Sequence, residues 1–188
     1  MRASFMGWCL MAAALVVGAG VAGAADRKAP AVPETDAALA NSVRHEIVMY
    51  ADYSIWDDVN IEVNNGSVRL TGEVSQPIKR EEIAKLTRHL AGVTQVQNDI
   101  RVLPLSFADD RLRMRVARAI YGDPSMLRYA IQPLKPIHIL VENGHVTLAG
   151  VVSTEFDKQI AGTRAATAGL AFGPIVNNLQ VEHSAKKS

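Results

Sequence analysis

The sequence predicts an α+β fold: two tandem αββαβ domains, each a small three-stranded mixed sheet covered on one face by two helices. Three observations carry this prediction. The pattern Val63-x-Asn65-Gly66-x-Val68-x-Leu70-x-Gly72 returns 78 residues later as Val141-x-Asn143-Gly144-x-Val146-x-Leu148-x-Gly150. Asn-Gly between alternating apolar residues signals a two-residue hairpin turn, because such a turn needs positive φ at both central positions. Each hairpin lies between two segments of helical apolar spacing and is followed by a last alternating strand, so the same order occurs twice.

The first copy begins after a Pro/Ala-rich linker, residues 25–35, that has no periodicity. Asp36 is the expected N-cap of a helix whose Leu39, Val43, Ile47 and Tyr50 recur at helical spacing. After the connection Asp52–Asp58, strands near Val59–Val63 and Ser67–Val74 pair Val63 with Val68 and Ile61 with Leu70 on one face. The other face pairs Glu62 with Arg69, opposite charges in cross-strand reach. A slip of one residue would turn the apolar set outward, so the pattern specifies the register. Gly72 falls on the core face, where a glycine marks a bulge or the close approach of a helix or backbone. Ser75 and Pro77 start a second helix with Ile83, Leu86 and Leu90 on one face, and Ala91-Gly92 ends it. Val96, Asn98, Ile100 and Val102 then alternate in a last strand that stops before Pro104.

The second copy repeats this order. Asp110 opens a helix with Leu112, Val116 and Ile120 on one face. A longer connection, Tyr121 to Pro136, leads to strands near Ile137–Val141 and His145–Val152, which pair Val141 with Val146 and Ile139 with Leu148. Gly150 is the counterpart of Gly72. A helix from Thr154 carries Phe156, Ile160 and Leu170, and Gly173-Pro174 precedes a final strand with Ile175, Asn177, Leu179 and Val181. In both copies the last strand is reached through a helix, so it should join parallel to the second strand by a right-handed crossover. The expected domains are 36–104 and 105–183, with a short tail at 184–188. Units of about 70 residues are marginal alone, which makes packing of one copy on the other a source of stability.

The N-terminus belongs to neither copy. Arg2, an apolar run from Phe5 to Val21 and the small residues Ala22-Gly23-Ala24 describe a cleavable secretory signal, residues 1–24. The alternative is an uncleaved anchor, for which the run is barely long enough. Cys9 sits between Trp8 and Leu10 rather than between small and polar residues, which argues against lipid attachment. Cleavage removes this single cysteine, and with it any disulfide, thiolate zinc site or cysteine nucleophile. It also removes Arg2, leaving 19 basic and 19 acidic residues, a balance that gives no reason to expect nucleic acid as a partner.

Val-x-Asn-Gly-x-Val-x-Leu-x-Gly, then a helix, then Ala91-Gly92-Val93-Thr94-Gln95-Val96-Gln97-Asn98-Asp99-Ile100-Arg101-Val102, resembles the BON domain (bacterial OsmY and nodulation). The second copy is similar through Asn143 to Val152 and Val176-Asn177-Asn178-Leu179-Gln180-Val181. Leu170-Ala171-Phe172-Gly173-Pro174 departs from the family's usual Gly-Val turn before the last strand. The resemblance implies a periplasmic, non-catalytic envelope protein without a cofactor. It also implies a part in envelope integrity and osmotic stress, and contact with phospholipid or other envelope proteins. It carries over no single binding residue.

The residues themselves show no catalytic chemistry. His45, His89, His138, His145 and His183 lack the H-E-x-x-H spacing, and there is no Gly-rich phosphate loop. The adjacent pair Asp57-Asp58 reads as solvated turn formers rather than an acid/base dyad. His138 and His145, facing each other loosely across the second hairpin, would make a poor metal site without further ligands. The positive signal is a stripe of Arg111, Arg115 and Arg118 opposite Leu112, Val116 and Ile120. Residues 36–103 carry a net charge of −3 and residues 109–183 a net charge of +1, so the copies differ in charge while sharing a core pattern. Two readings of the stripe stand: contact with the anionic headgroups of a phospholipid membrane, or an ordinary solvated face paired with Asp109, Asp110 or the surplus acid of the first copy. Arg128 and Lys135 flank Met126, Leu127, Tyr129, Ile131 and Leu134 in the long connection, a composition that suits a membrane interface or a loop folded back on its own domain. Besides membrane docking, the chain is read as a protein-interaction or chaperone-like module, or as binding a small ligand or ion between its copies.

Overall fold

The structure, a computed structural model, describes residues 35–168 and 175–182. The expected signal segment, the expected linker before Thr35, the corner Leu170–Pro174, His183 and the tail lie outside them.

The first copy consists of α1 (Asp36–Met49), β1 (Asp58–Asn64), β2 (Ser67–Val74), α2 (Pro77–Arg88) and β3 (Gln95–Val102). Asn65 and Gly66 have φ of 48° and 78°, as the two-residue turn requires. The register is the expected one, with Ile61 opposite Leu70, Glu62 opposite Arg69 and Val63 opposite Val68. Strand β3 runs parallel to β2, Val68 beside Val96 and Val74 beside Val102. Leu39, Val43 and Ile47 of α1 and Ile83 and Ala84 of α2 close over Val68, Leu70, Val74 and Ile100.

The second copy follows with α3 (Phe107–Tyr121), a 3-10 turn (Pro124–Met126) and the short α4 (Leu127–Ala130). Then come β4 (Ile137–Glu142), β5 (His145–Val152), α5 (Glu155–Ala168), β6 (Ile175–Asn177) and β7 (Gln180–Val181). Its turn repeats the first, with φ of 52° at Asn143 and 79° at Gly144. Strands β6 and β7 are one interrupted strand, both parallel to β5. Between them Asn178 N still donates to Leu148 O at 2.9 Å, and Leu179 is buried.

The tertiary structure corrects several local expectations. The helix caps are Thr35 and Ser106, whose side chains accept from Ala38 N and Asp109 N, rather than Asp36 and Asp110. The acids near these helix starts have a different partner. Asp36 accepts from Asn65 N (2.8 Å) and Gly66 N (3.1 Å), and Asp109 from Asn143 N (3.0 Å) and Gly144 N (2.8 Å). In each copy one carboxylate thus satisfies both turn amides and ties the first helix to the hairpin. Phe156, expected in the core, is 68% exposed, because the inward face of α5 is Asp157, Ala161 and Ala165. In α2 the buried face likewise runs Lys79, Ile83 and Thr87, with Leu86 and Leu90 only partly covered. Of the readings left open at Gly72 and Gly150, close approach of backbone is the one found, made by the chain entering the neighbouring strand. With φ of +110° and +109°, a Cβ there would lie 2.2 Å from Asp58 O and 1.9 Å from Pro136 O.

The first copy also covers the edge strand of the second sheet, which otherwise presents unpaired backbone groups. Ile139 N of β4 donates to Ile55 O at 2.7 Å, and Trp56 packs against the second core. On the face of β4 away from the helices, His138 Nδ1 donates to the Asp57 carbonyl and its ring lies 5.7 Å from that of Tyr53. Farther along the same face Arg101 holds Glu142 at 2.7 and 2.8 Å, keeping its carboxyl below the usual range. Leu140, between these contacts, is buried, whereas Asn60, Glu62 and Asn64 on the corresponding strand of the first copy are exposed.

Candidate functional site

Helix α3 positions the arginine stripe. Ser106 caps it, Asp109 and Asp110 lie in its first turn and Arg118 in its last, each sign placed to suit the helix dipole. Leu112, Val116 and Ile120 are buried beneath it. The opposite face carries Phe107, Arg111, Met114, Arg115 and Arg118, all exposed. Phe107 is 91% exposed and Leu105, just before the helix, 88%. A surface depression of about 1140 Å³ includes Phe107, Met114 and all three arginines in its lining.

Of the acids expected as partners of the stripe, the two on its own helix are taken elsewhere. Asp109 is buried on the hairpin turn, and Asp110 accepts from Arg113 Nη1 at 2.6 Å. Arg113, which the sequence grouped with no site, is itself buried, and its Nη2 donates to Val141 O at 2.8 Å. Among the described residues, Arg111, Arg115 and Arg118 have no carboxylate within 4.0 Å.

Arg128 and Lys135 lie apart from one another. Arg128 bridges to Asp157, which also accepts from Tyr129 Oη (2.9 Å) and Thr154 Oγ1 (2.6 Å). Burial works against ionisation of Asp157, yet these hydrogen bonds outweigh it and hold the carboxyl below its ordinary value. This cluster pins the long connection to α5 and buries Met126 and Tyr129, while Leu127, Ile131 and Leu134 remain exposed. Lys135 lies instead near Tyr121, its Nζ 5.9 Å from the ring centroid.

The first copy has the same clasp with the charge inverted. Where the second has Asp157 on its helix, the first has Lys79, and the acid comes from the loop. Asp57, expected to be solvated, is fully buried. It accepts from Ser54 N and Oγ (2.9 and 2.8 Å), Ser75 N and Oγ (both 2.8 Å) and Lys79 Nζ (2.7 Å). Its two serines and its lysine are separated in sequence, so only Ser75, just before α2, and Lys79, in its first turn, hinted at it.

The chemistry of the remaining candidates is set by register. His138 lies opposite Ala149 and His145 opposite Glu142, so the two imidazoles do not face each other. Among the described residues no three His, Cys, Asp or Glu side chains form a metal-binding group. No helix among them is long and apolar enough to cross a membrane.

Comparison with known proteins agrees with the repeat. A family model described as BON domain matches residues 35–104 and again residues 108–182. No curated protein sequence matches the chain. Two solved structures are similar at low identity. One is the C-terminal domain of CdsD, described as the structural protein of the type III secretion system of Chlamydia trachomatis. It shows 17% identity over 77% of this chain and 64% of that one, with a TM-score of 0.31. A second CdsD structure shows 19% identity over 75% and 61%, with a TM-score of 0.28. The chain thus spans less than two thirds of either one's length.

Proposed function

Because the chain belongs to the BON domain family, as a tandem of two copies, we propose that it docks on anionic phospholipid membrane surfaces through the outer face of α3. BON-domain proteins are typically envelope-associated, non-catalytic modules. The membrane reading rests on one observation: an exposed helix face that joins Phe107 and Met114 to three arginines with no carboxylate partner among the described residues. An amphipathic helix of this kind lies in the plane of the interface, its apolar side chains entering the headgroup boundary. Each arginine contributes about 1 kcal/mol next to anionic lipid. The charge difference between the copies would orient the molecule, with the acidic first copy turned from the surface. A role in envelope integrity under osmotic stress is supported by the family resemblance alone. Contact with other envelope proteins is the competing reading, favoured by the exposed Leu105 and Phe107.

Flotation with liposomes tests the proposal. Replacing Arg111, Arg115 and Arg118 by Gln should weaken binding to anionic vesicles roughly a hundredfold, three contacts at about 1 kcal/mol each. Thermal stability should barely change, since glutamine keeps helix propensity and the buried face is untouched. Binding should also fall steeply with salt, which an apolar protein interface would not show. Unchanged flotation at unchanged stability would end the membrane reading for this surface.

A further inference from the structure

A second cleft, of about 1030 Å³, opens where α1 and the segment Tyr53–Trp56 of the first copy meet α3 and the segment Pro133–Pro136 of the second. Its wall is apolar, formed by Val48, Trp56, Met114, Leu134 and Val151 among others. The polar groups that reach it are already engaged. Tyr121 Oη donates to Ile137 O at 2.6 Å and accepts from Ile137 N at 3.2 Å, and His138 Nδ1 is held by the Asp57 carbonyl. Three cations remain, Arg44, Arg118 and Lys135, and no Asp or Glu is part of the lining. None of the three has a carboxylate within 4.0 Å among the described residues.

A cleft with an apolar wall and only cations for charge is complementary to an amphiphile with an anionic head. Its volume lies at the upper end of the usual range for small-molecule sites, roughly 300–1,000 Å³. We propose that it binds one long-chain fatty acid anion, the acyl chain against the apolar wall and the carboxylate at Arg118 and Lys135. Both copies are required, since neither supplies the whole wall. The site shares Met114 and Arg118 with the proposed membrane-facing surface, but Arg111 and Arg115 do not line it.

The test is displacement of the fluorescent fatty acid cis-parinarate by palmitate, below the micelle concentration, on the purified protein. Saturable binding at one site per chain is expected. Hexadecanol, which lacks the charge, should bind about tenfold more weakly or worse. The double change Leu134→Glu/Val151→Glu, at two exposed wall positions, should weaken palmitate by about tenfold or more, because it places carboxylates against the chain. If that variant fails to fold, Arg118→Gln/Lys135→Gln decides, and it should weaken palmitate while leaving hexadecanol unchanged. Replacing Arg111 and Arg115 by Gln, which leaves the shared Arg118 in place, should weaken vesicle binding but not palmitate binding, so failure of the membrane reading is distinguishable from failure of this one. Absence of saturable binding, equal affinity for hexadecanol, or palmitate affinity unmoved by the folded cleft variant would overturn the proposal.

Discussion

Replacing Asp57 by Asn should destabilise the protein by about 3–5 kcal/mol, the cost of leaving a buried charge without its partner. The figure follows from the surroundings of the carboxylate. Asp57 is fully buried and Lys79 is 4% exposed, so the ammonium keeps little water when its counter-charge is removed. Asparagine retains one acceptor oxygen for the five donors that the two carboxylate oxygens now receive from Ser54, Ser75 and Lys79. Converting Lys79 to Met as well removes the orphaned charge, so the double variant should be less damaged than the two single losses added together. The coupling expected of residues in one network is about 0.5–3 kcal/mol. Urea unfolding followed by Trp56 fluorescence is the assay. Trp56 adjoins Asp57 in sequence, packs on the second core and is the only tryptophan among the described residues. Loss of the clasp should also loosen the Ile55–Ile139 and Asp57–His138 links, separating the unfolding of the two copies. A cost below about 1 kcal/mol, the scale of an ordinary hydrogen bond, or strictly additive single changes, would refute the assignment of Asp57 as the anchor of this loop.

The second copy's clasp should show its charge in acid. Hydrogen bonds hold the Asp157 carboxyl below its ordinary value in the folded protein, so its contribution is fully present well above the ordinary carboxylate range and is lost as pH falls through the lowered folded value. Asp157→Asn should therefore flatten the acid limb of a stability–pH profile. Gly150→Ala should cost about 2 kcal/mol or more by chemical denaturation, since it adds a Cβ at φ +109° against Pro136 O. Asp109→Ala leaves two turn amides without their acceptor and should cost about 1–3 kcal/mol, with faster amide exchange at Asn143 and Gly144. Arg101→Gln breaks an exposed link to Glu142 and should cost less than about 1 kcal/mol in thermal unfolding at moderate salt.

The sequence by itself determined both hairpins, their registers, the parallel third strands and the two cores. Each rests on information confined to a few neighbouring residues: positive φ at Asn-Gly, alternation on a strand, or 3.6-residue spacing on a helix. It also placed Arg111, Arg115 and Arg118 on one face of α3, because helical geometry alone fixes which residues share a face. What those charges meet was left to the tertiary structure. Asp57 looks like a solvated turn residue until Lys79, 22 positions on, closes over it. Asp36 looks like a helix cap until the hairpin brings two amides to it, as it does to Asp109 in the second copy. Arg128 looks like a free loop cation until Asp157 takes it, while Asp109 and Asp110 look like partners for the stripe until the turn and Arg113 claim them. Phe156 fits a core position by pattern, yet the rotation of α5 sets the small residues Ala161 and Ala165 inward instead. The cleft between the copies, and the edge strand that the first copy covers, have no signal in any single segment. A charge's partner and a cavity's wall depend on distances between chain segments remote in sequence, and only the folded arrangement fixes those.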